Sequence, residues 1–249
     1  MGRVQNKVAI VTGGAQGIGA HYARALAAEG AKVVISDILD GASLAEELGN
    51  AARFINADIS DRDDINRMVD FTVQAFGTVD ILVNNAAIFA SITPKPFLEI
   101  ETDEFDRMMQ VNVRGQFQVI QAVAPIMIGK RAGKIVNIAS GVVHVGPPMM
   151  PHYTASKGAV WVMTKSLARE LAEHEIQINS LCPGFVLSEQ VLANKDKWST
   201  FVEKAPQARL IKRDQTPEDL LGALMFLCSS DSNFMTGQSI VIDGGVTLR

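Results

Sequence analysis

Cysteine is nearly missing from this 249-residue chain: there are two, Cys182 and Cys228, both inside apolar runs and neither in a CxxC or CxxH arrangement. That excludes a disulfide framework and a thiolate metal site, and predicts two buried thiols in a reducing compartment. An excess of positive charge is missing too, with 23 Lys and Arg against 27 Asp and Glu and no basic cluster. Nucleic acid and anionic membrane both favour a basic patch, so neither is an expected partner. No apolar run approaches the roughly 18 residues that span a bilayer. The N-terminus enters a predicted strand within ten residues, without a basic-then-apolar leader. A cytoplasmic protein is therefore expected. Repeats, low-complexity tracts and linkers are absent as well, so 47% hydrophobic residues serve one large core and a single domain over 1–249.

What is present alternates strand with helix. Residues 7–12 are an apolar run that breaks into Gly13-Gly14-Ala15-Gln16-Gly17-Ile18-Gly19 before an Ala-rich helical stretch over 20–29. Glycines there permit tight backbone angles and close approach, and the unpaired N–H groups of a helix start favour a pyrophosphate. A second strand, 31–36, ends in Asp37, eighteen residues after Gly19. A carboxylate at that distance can accept from both hydroxyls of a ribose and repels a 2′-phosphate, which favours NAD over NADP. Gln16 agrees, being neutral where a basic side chain could meet that phosphate.

The pattern continues with strand 53–57 ending in Asp58, helix 61–76, and strand 79–83 running into Asn84-Asn85-Ala86-Ala87. In an open parallel sheet, strand C-termini form the ligand crevice. Asp58 is placed to meet an adenine amine there, and the 84–87 turn to lie along the cofactor. Thr102 is the expected N-cap of a long helical stretch over 103–129, which carries Asn112 on an apolar face where its amide needs a partner. A strand over 134–140 delivers the Ser140 hydroxyl at its end. Thirteen residues on, Tyr153 and Lys157 stand one helical turn apart. A phenol titrates near pH ~10, and serving as a base near neutrality needs a downward shift of about two to three units. A fixed ammonium beside it can supply that shift. Residues 216–219 start a helix and 238–243 form the last strand.

Together these residues resemble the short-chain dehydrogenase/reductase family over essentially the whole chain. The resemblance rests on Thr12-Gly13 with Gly17 and Gly19, Asp58, Asn84-Asn85-Ala86, Asn112-Val113 with Gly115, Ser140, Tyr153 with Lys157, Pro183-Gly184, and Asp243-Gly244-Gly245. Two departures are mild: Ala87 where glycine is common, and Ser188 where threonine is common. The resemblance implies a doubly wound α/β Rossmann-type fold with a parallel sheet of about seven strands flanked by helices. It implies NAD held by Gly13, Gln16, Gly17, Ile18, Gly19, Asp37, Ile38, Asp58, Ile59, Asn85, Ala86, Ala87, Tyr153, Lys157, Pro183, Gly184, Val186 and Ser188. Tyr153 would be the general base in alcohol oxidation and the acid in carbonyl reduction. Lys157 would lower its pKa and hold the nicotinamide ribose, Ser140 would donate to the substrate oxygen, and Asn112 would position a relay water through a helix carbonyl.

The substrate is expected between residues 88–97, 142–151 and 185–201, with Ser140, Val142, His144, Met150, Tyr153, Phe185 and Trp198 facing it. Met149, Leu187, Val191 and Leu192 extend an apolar wall suited to an uncharged secondary alcohol, aromatic or terpenoid. Ser91, His152, Glu189, Gln190 and Lys195 keep a polyol or sugar open. An NADPH-dependent ketoacyl reductase is disfavoured by Asp37, Gln16 and the acidic balance. A non-catalytic NAD-binding regulator is disfavoured by the retained Ser140, Tyr153 and Lys157, and a serine hydrolase by the lack of GxSxG. No metal site is expected. The stretch 183–215 is taken as a loop or lid. Helices over 116–128 and 155–171 are apolar on several faces, Trp161 and Met163 included. The resemblance adds a homotetramer through these helices and the tail 238–249.

Overall fold

The structure is a computed structural model describing residues 2–248. Seven strands form one parallel sheet in the order β3-β2-β1-β4-β5-β6-β7. Strand β1 (Val8–Thr12) lies between β2 (Lys32–Asp37) and β4 (Ile81–Asn84), with Ala9 paired to both Val33 and Ile81. All five β1 residues are buried, because helices cover both faces of the sheet and leave no solvated side to alternate against. Beyond β2 lies β3 (Ala52–Asn56); beyond β4 lie β5 (Gly133–Ile138), β6 (Ile176–Pro183) and β7 (Ser239–Ile242).

One face packs α1 (Gly17–Ala28), α2 (Ala42–Leu48) and α10 (Glu218–Cys228) through Leu26, Leu44 and Leu224 against Ala9, Val11 and Ile35. The other packs α3 (Arg62–Phe76), α5 (Gln116–Lys130) and α7 (Pro151–Leu171) through Met68, Val119 and Leu171 against Ile10 and Leu82. Consecutive β1 residues thus serve opposite cores. Helix α3 starts where Asp61 accepts from the N–H groups of Asp63 and Asp64, and stops at Gly77 with φ 83°.

The long helix expected over 103–129 is α4 (Thr102–Met109), one π-helical turn over Gln110–Gly115, and α5. Thr102 is the first helical residue and Glu101 occupies the N-cap, so the expected threonine cap is not made. Short α6 (Val142–Val145) follows β5. The stretch 183–215 differs from a loop: it holds α8 (Glu189–Ala193) and α9 (Lys195–Ala208), and Trp198 inside it is wholly buried. An indole anchored this firmly orders a segment whose composition alone reads as irregular. Cys182 and Cys228 are both buried and form no disulfide. Among the described residues, no helix is long and apolar enough to cross a membrane.

Candidate active site

Strand order reverses beside β1, where β2 continues one way and β4 the other, and a crevice opens there at the strand C-termini. A cavity of about 690 Å³ fills it. Its first half is mostly backbone. Gly13 sits at φ +62°, and a Cβ there would lie 2.8 Å from the Cα of Ala86. A Cβ on Gly19 would lie 1.9 Å from the Gly13 carbonyl oxygen. The turn is therefore as tight as glycine allows. Helix α1 begins just past it with no side-chain cap and no acidic residue in its first turn, which leaves its N–H groups for an anion. This fits a dinucleotide's pyrophosphate.

Gly13, Gln16, Ile18 and Gly19 line the cavity, while Gly17 is set back from it, with the side-chain oxygen of Gln190 packed against its Cα. The turn is tied to its neighbour from the side: Asn85 Nδ2 donates to the carbonyls of Thr12 (3.0 Å) and Gly13 (2.9 Å). Thr12 Oγ1 in return accepts from the N–H groups of Asn85 and Ala86. Asn85 thus braces the glycine turn from the lining of the crevice.

Asp37, Ile38, Asp58, Ile59, Ala86 and Ala87 complete this half. The Asp37 oxygens each accept one backbone N–H, from Ala15 and from Leu39, both at 3.0 Å. Turn-former and crevice carboxylate are here the same residue, since each oxygen keeps a second lone pair. Burial pushes the Asp58 carboxyl up, but the bonds from Ser60 and the nearby Arg107 outweigh it and hold it below the usual range.

In the other half, Ser140 follows β5, and Tyr153 and Lys157 sit on the first turns of α7; all three line the cavity. Burial pushes the Tyr153 phenol up, and a hydrogen bond with the Ser140 hydroxyl opposes it. Burial also brings the Lys157 ammonium down to about 8. The expected depression of the phenol by Lys157 is therefore not found in the protein alone. The ammonium lies 5.9 Å from the centre of the Tyr153 ring and donates to the Ile138 carbonyl at 2.7 Å. Desolvation acts on both groups before any charge in the crevice offsets it.

Asn112 is wholly buried in the π turn and is not part of the cavity lining. Its Oδ1 accepts from Ile88 N–H (2.7 Å), and its Nδ2 donates to Ile88 O (3.2 Å) and Ser156 Oγ (3.1 Å). It staples the loop after β4 to α7, one helical step from Lys157. Asn84 is also buried, in a polar chain through Asn137 (3.3 Å) to Thr164 (2.9 Å).

Pro183, Gly184, Phe185, Val186 and Ser188 line the cavity after β6, and Val142, Met150 and Trp198 face it as expected. His144 does not: its ring stands edge-on to Trp161 at 5.6 Å and is not part of the lining. Met149 and Leu192 are turned to solvent, and Val191 is buried beneath the wall. The wall is thus aromatic rather than rich in methionine. Phe89, not singled out by the sequence, packs 4.9 Å from Tyr153 and 4.7 Å from Trp198. Phe185 lies 5.8 Å from Trp198 and 6.0 Å from Phe201, and Trp198 Nε1 donates to Ala90 O at 3.1 Å. Nothing in the local sequence marks Phe89 or Phe201 apart from their lying in the two apolar segments. Among the described residues no cluster of His, Cys, Asp or Glu is placed to hold a metal.

A family model described as Enoyl-(Acyl carrier protein) reductase matches residues 13–247. Galactitol 2-dehydrogenase of Agrobacterium fabrum is 38% identical over 254 residues, spanning 98% of each chain. (+)-Borneol dehydrogenase 2 of Salvia officinalis is 38% identical over 258 residues, 98% of this chain and 90% of that one. A 3-oxoacyl-(acyl-carrier-protein) reductase of Thermotoga maritima is 36% identical over 252 residues, 99% of this chain and all of that one. With glycine turn, crevice and Ser-Tyr-Lys cluster at the C-terminal edge of one parallel sheet, the chain belongs to the short-chain dehydrogenase/reductase family of oxidoreductases.

Proposed function

We propose that the protein is an NAD-dependent dehydrogenase of apolar, preferably aromatic or terpenoid, secondary alcohols and their ketones. The observation that carries the substrate class is the wall of Phe89, Phe185, Trp198 and Phe201, which meets the Tyr153 ring through Phe89. A hydroxyl or carbonyl seated between Ser140 and Tyr153 leaves its carbon substituents against these rings. When bound, the nicotinamide supplies the hydride chemistry. The chain's residues handle the proton: Tyr153 takes it in oxidation and gives it in reduction, and Ser140 donates to the substrate oxygen where charge develops. Lys157 keeps positive charge near the phenol, and Asn112 holds the backbone around Ile88 and α7 in place. The residues proposed for NAD are those of the first half, with Ser188, Tyr153 and Lys157.

NAD rather than NADP is supported by the Asp37 carboxylate at the ribose end, with neutral Gln16 beside it and apolar Ile38 and Leu39 after it. A second reading, a polyol dehydrogenase, is favoured by Ser91, Gln190 and Asn194 on the same lining, and one relative is named for galactitol and another for borneol at equal identity. The test is reduced-cofactor absorbance with NAD and, in parallel, NADP across apolar secondary alcohols, aromatic alcohols, terpenols and polyols. NAD-linked turnover concentrated on the apolar members is expected, and turnover on polyols alone would reverse the substrate assignment.

A homotetramer is proposed as well, supported by Val162 exposed on α7 beside half-buried Trp161 and Met163. Of the tail 238–249, Arg249 lies outside the described residues. Light scattering distinguishes a tetramer from a monomer. A cytoplasmic location is in keeping with two buried thiols and no disulfide, and fractionation tests it.

A further inference from the structure

Immediately before Tyr153, His152 is wholly buried. Neither ring nitrogen completes a hydrogen bond at ordinary geometry among the described residues, but Nε2 lies 3.4 Å from Glu104 Oε1. The other Glu104 oxygen, Oε2, is 2.5 Å from Lys95 Nζ. The Lys95 backbone N–H donates to Met149 O at 2.9 Å. Three segments therefore meet at one carboxylate: the loop between β4 and α4, the first turns of α4, and the start of α7. None of the three side chains lines the cavity, yet they flank what does. Met150 and Tyr153 enclose His152 in the chain, and Met108, one turn along α4 from Glu104, packs with both in the cluster that contains Trp198.

A buried imidazole with its nitrogens short of partners is a poor choice for stability, because a leucine would fill similar space without desolvating polar atoms. Burial pushes its pKa down, Glu104 pulls it up and Lys95 pushes it down again, with the net below the usual range, so the ring is neutral near pH 7. Neutral, it sits against the Glu104 carboxylate at 3.4 Å and adds no charge beside the phenol. We propose that His152, held by Glu104 and Lys95, is a positioning residue: the clasp fixes the rotation of the first turn of α7 and thereby aims the Tyr153 hydroxyl at the substrate oxygen. Its effect falls on the proton-transfer step and leaves the cofactor end alone. This rests on the reading of Tyr153 as the acid-base group.

The test compares His152→Leu, Glu104→Ala and Glu104→Gln with wild type and with Tyr153→Phe, using the best alcohol from the panel. A misplacement near 1 Å at a reacting group can cost on the order of 100-fold. His152→Leu is expected to keep or raise Tm, lower kcat by roughly 10- to 100-fold and leave KM for NAD within about twofold. Glu104→Ala, on a partly exposed side chain, should reproduce the kcat loss, while Glu104→Gln, which keeps an acceptor, should recover most of it. Wild-type kcat in both His152→Leu and Glu104→Ala, with Tyr153→Phe inactive, overturns the clasp and leaves the function standing. A kcat loss matched by an equal rise in KM for NAD also overturns it, since that describes general loosening. An active Tyr153→Phe would instead bring down the functional reading itself.

Discussion

The two halves of the crevice are built from different material. At the cofactor half, the lining is strand ends, glycine backbone and two carboxylates, contributed in chain order by β1, β2, β3 and β4 and braced by hydrogen bonds such as those of Asn85. At the substrate half, it is side chains converging from separate segments: Phe89 packs on Tyr153, and Trp198, Phe185 and Phe201 pack in turn on Phe89 and one another. Backbone lining tolerates almost no substitution, because a single Cβ on Gly19 would meet a carbonyl at 1.9 Å. Side-chain lining can be exchanged residue by residue while the cavity persists. One scaffold can thus keep its glycine turn and change its substrate wall, and relatives at nearly equal identity are named for galactitol, borneol and a 3-oxoacyl-(acyl-carrier-protein) substrate.

The largest effect should come where the halves meet. Tyr153→Phe is expected to lower kcat by about 10²- to 10⁴-fold while leaving NAD binding, read by calorimetry, largely intact, with a change far smaller than the loss in kcat. Loss of both together would mean that the halves are not separable. Next, Asp37→Ala removes a charged acceptor at the cofactor end. KM for NAD should rise about 10- to 100-fold, with little change for NADP, and initial rates with each cofactor read the ratio directly. An unchanged ratio would remove Asp37 from cofactor selection.

A smaller effect is expected at the aromatic wall. Phe89→Ala should cut kcat/KM for aromatic secondary alcohols by roughly tenfold, leave KM for NAD alone and improve polyols in relative terms. A uniform loss over all alcohols would instead assign Phe89 to packing of the Tyr153 ring. The smallest concerns stability. With Lys157 near 8 when folded and near 10.4 when unfolded, the unfolded chain binds more protons between those values. The buried ammonium therefore penalises the fold below about pH 8, and stability gains as pH rises through that window. Lys157→Met should be at least as stable as wild type near neutrality, and urea midpoints across the window should show the wild type catching up. A parallel pH dependence in both proteins would show that another group is responsible.

The same division governs what was legible in the sequence. The strands, the glycine turn, Asp37, Asp58 and the Ser140, Tyr153 and Lys157 cluster are readable because each is encoded locally: an apolar run, a break and a polar residue at a strand end. Phe89 and Phe201 were not, because only tertiary packing decides which apolar residues of a loop turn inward. His144 failed for the same reason, its ring going to Trp161 instead of the cavity. The 183–215 stretch holds α8 and α9, and what seats them, Trp198 packing on Phe89 from a distant loop, is not written in the local sequence. Asn112 illustrates an intermediate case. A buried amide was expected to need partners, but which backbone it would hold, that of Ile88, depended on a loop folding over it.

The π turn over Gln110–Gly115 works as a phase setting between two rotors. Successive residues of an α-helix advance about 100° around the axis, and a π turn inserts one residue into that count. Downstream, α5 keeps Val119 and Val123 indexed to the sheet; upstream, α4 keeps Glu104 and Met108 indexed to the Tyr153 end of α7. A regular α-helix through the same number of residues would set the two rotors about 100° out of step. Local irregularity is here the means by which one continuous helix serves two partners.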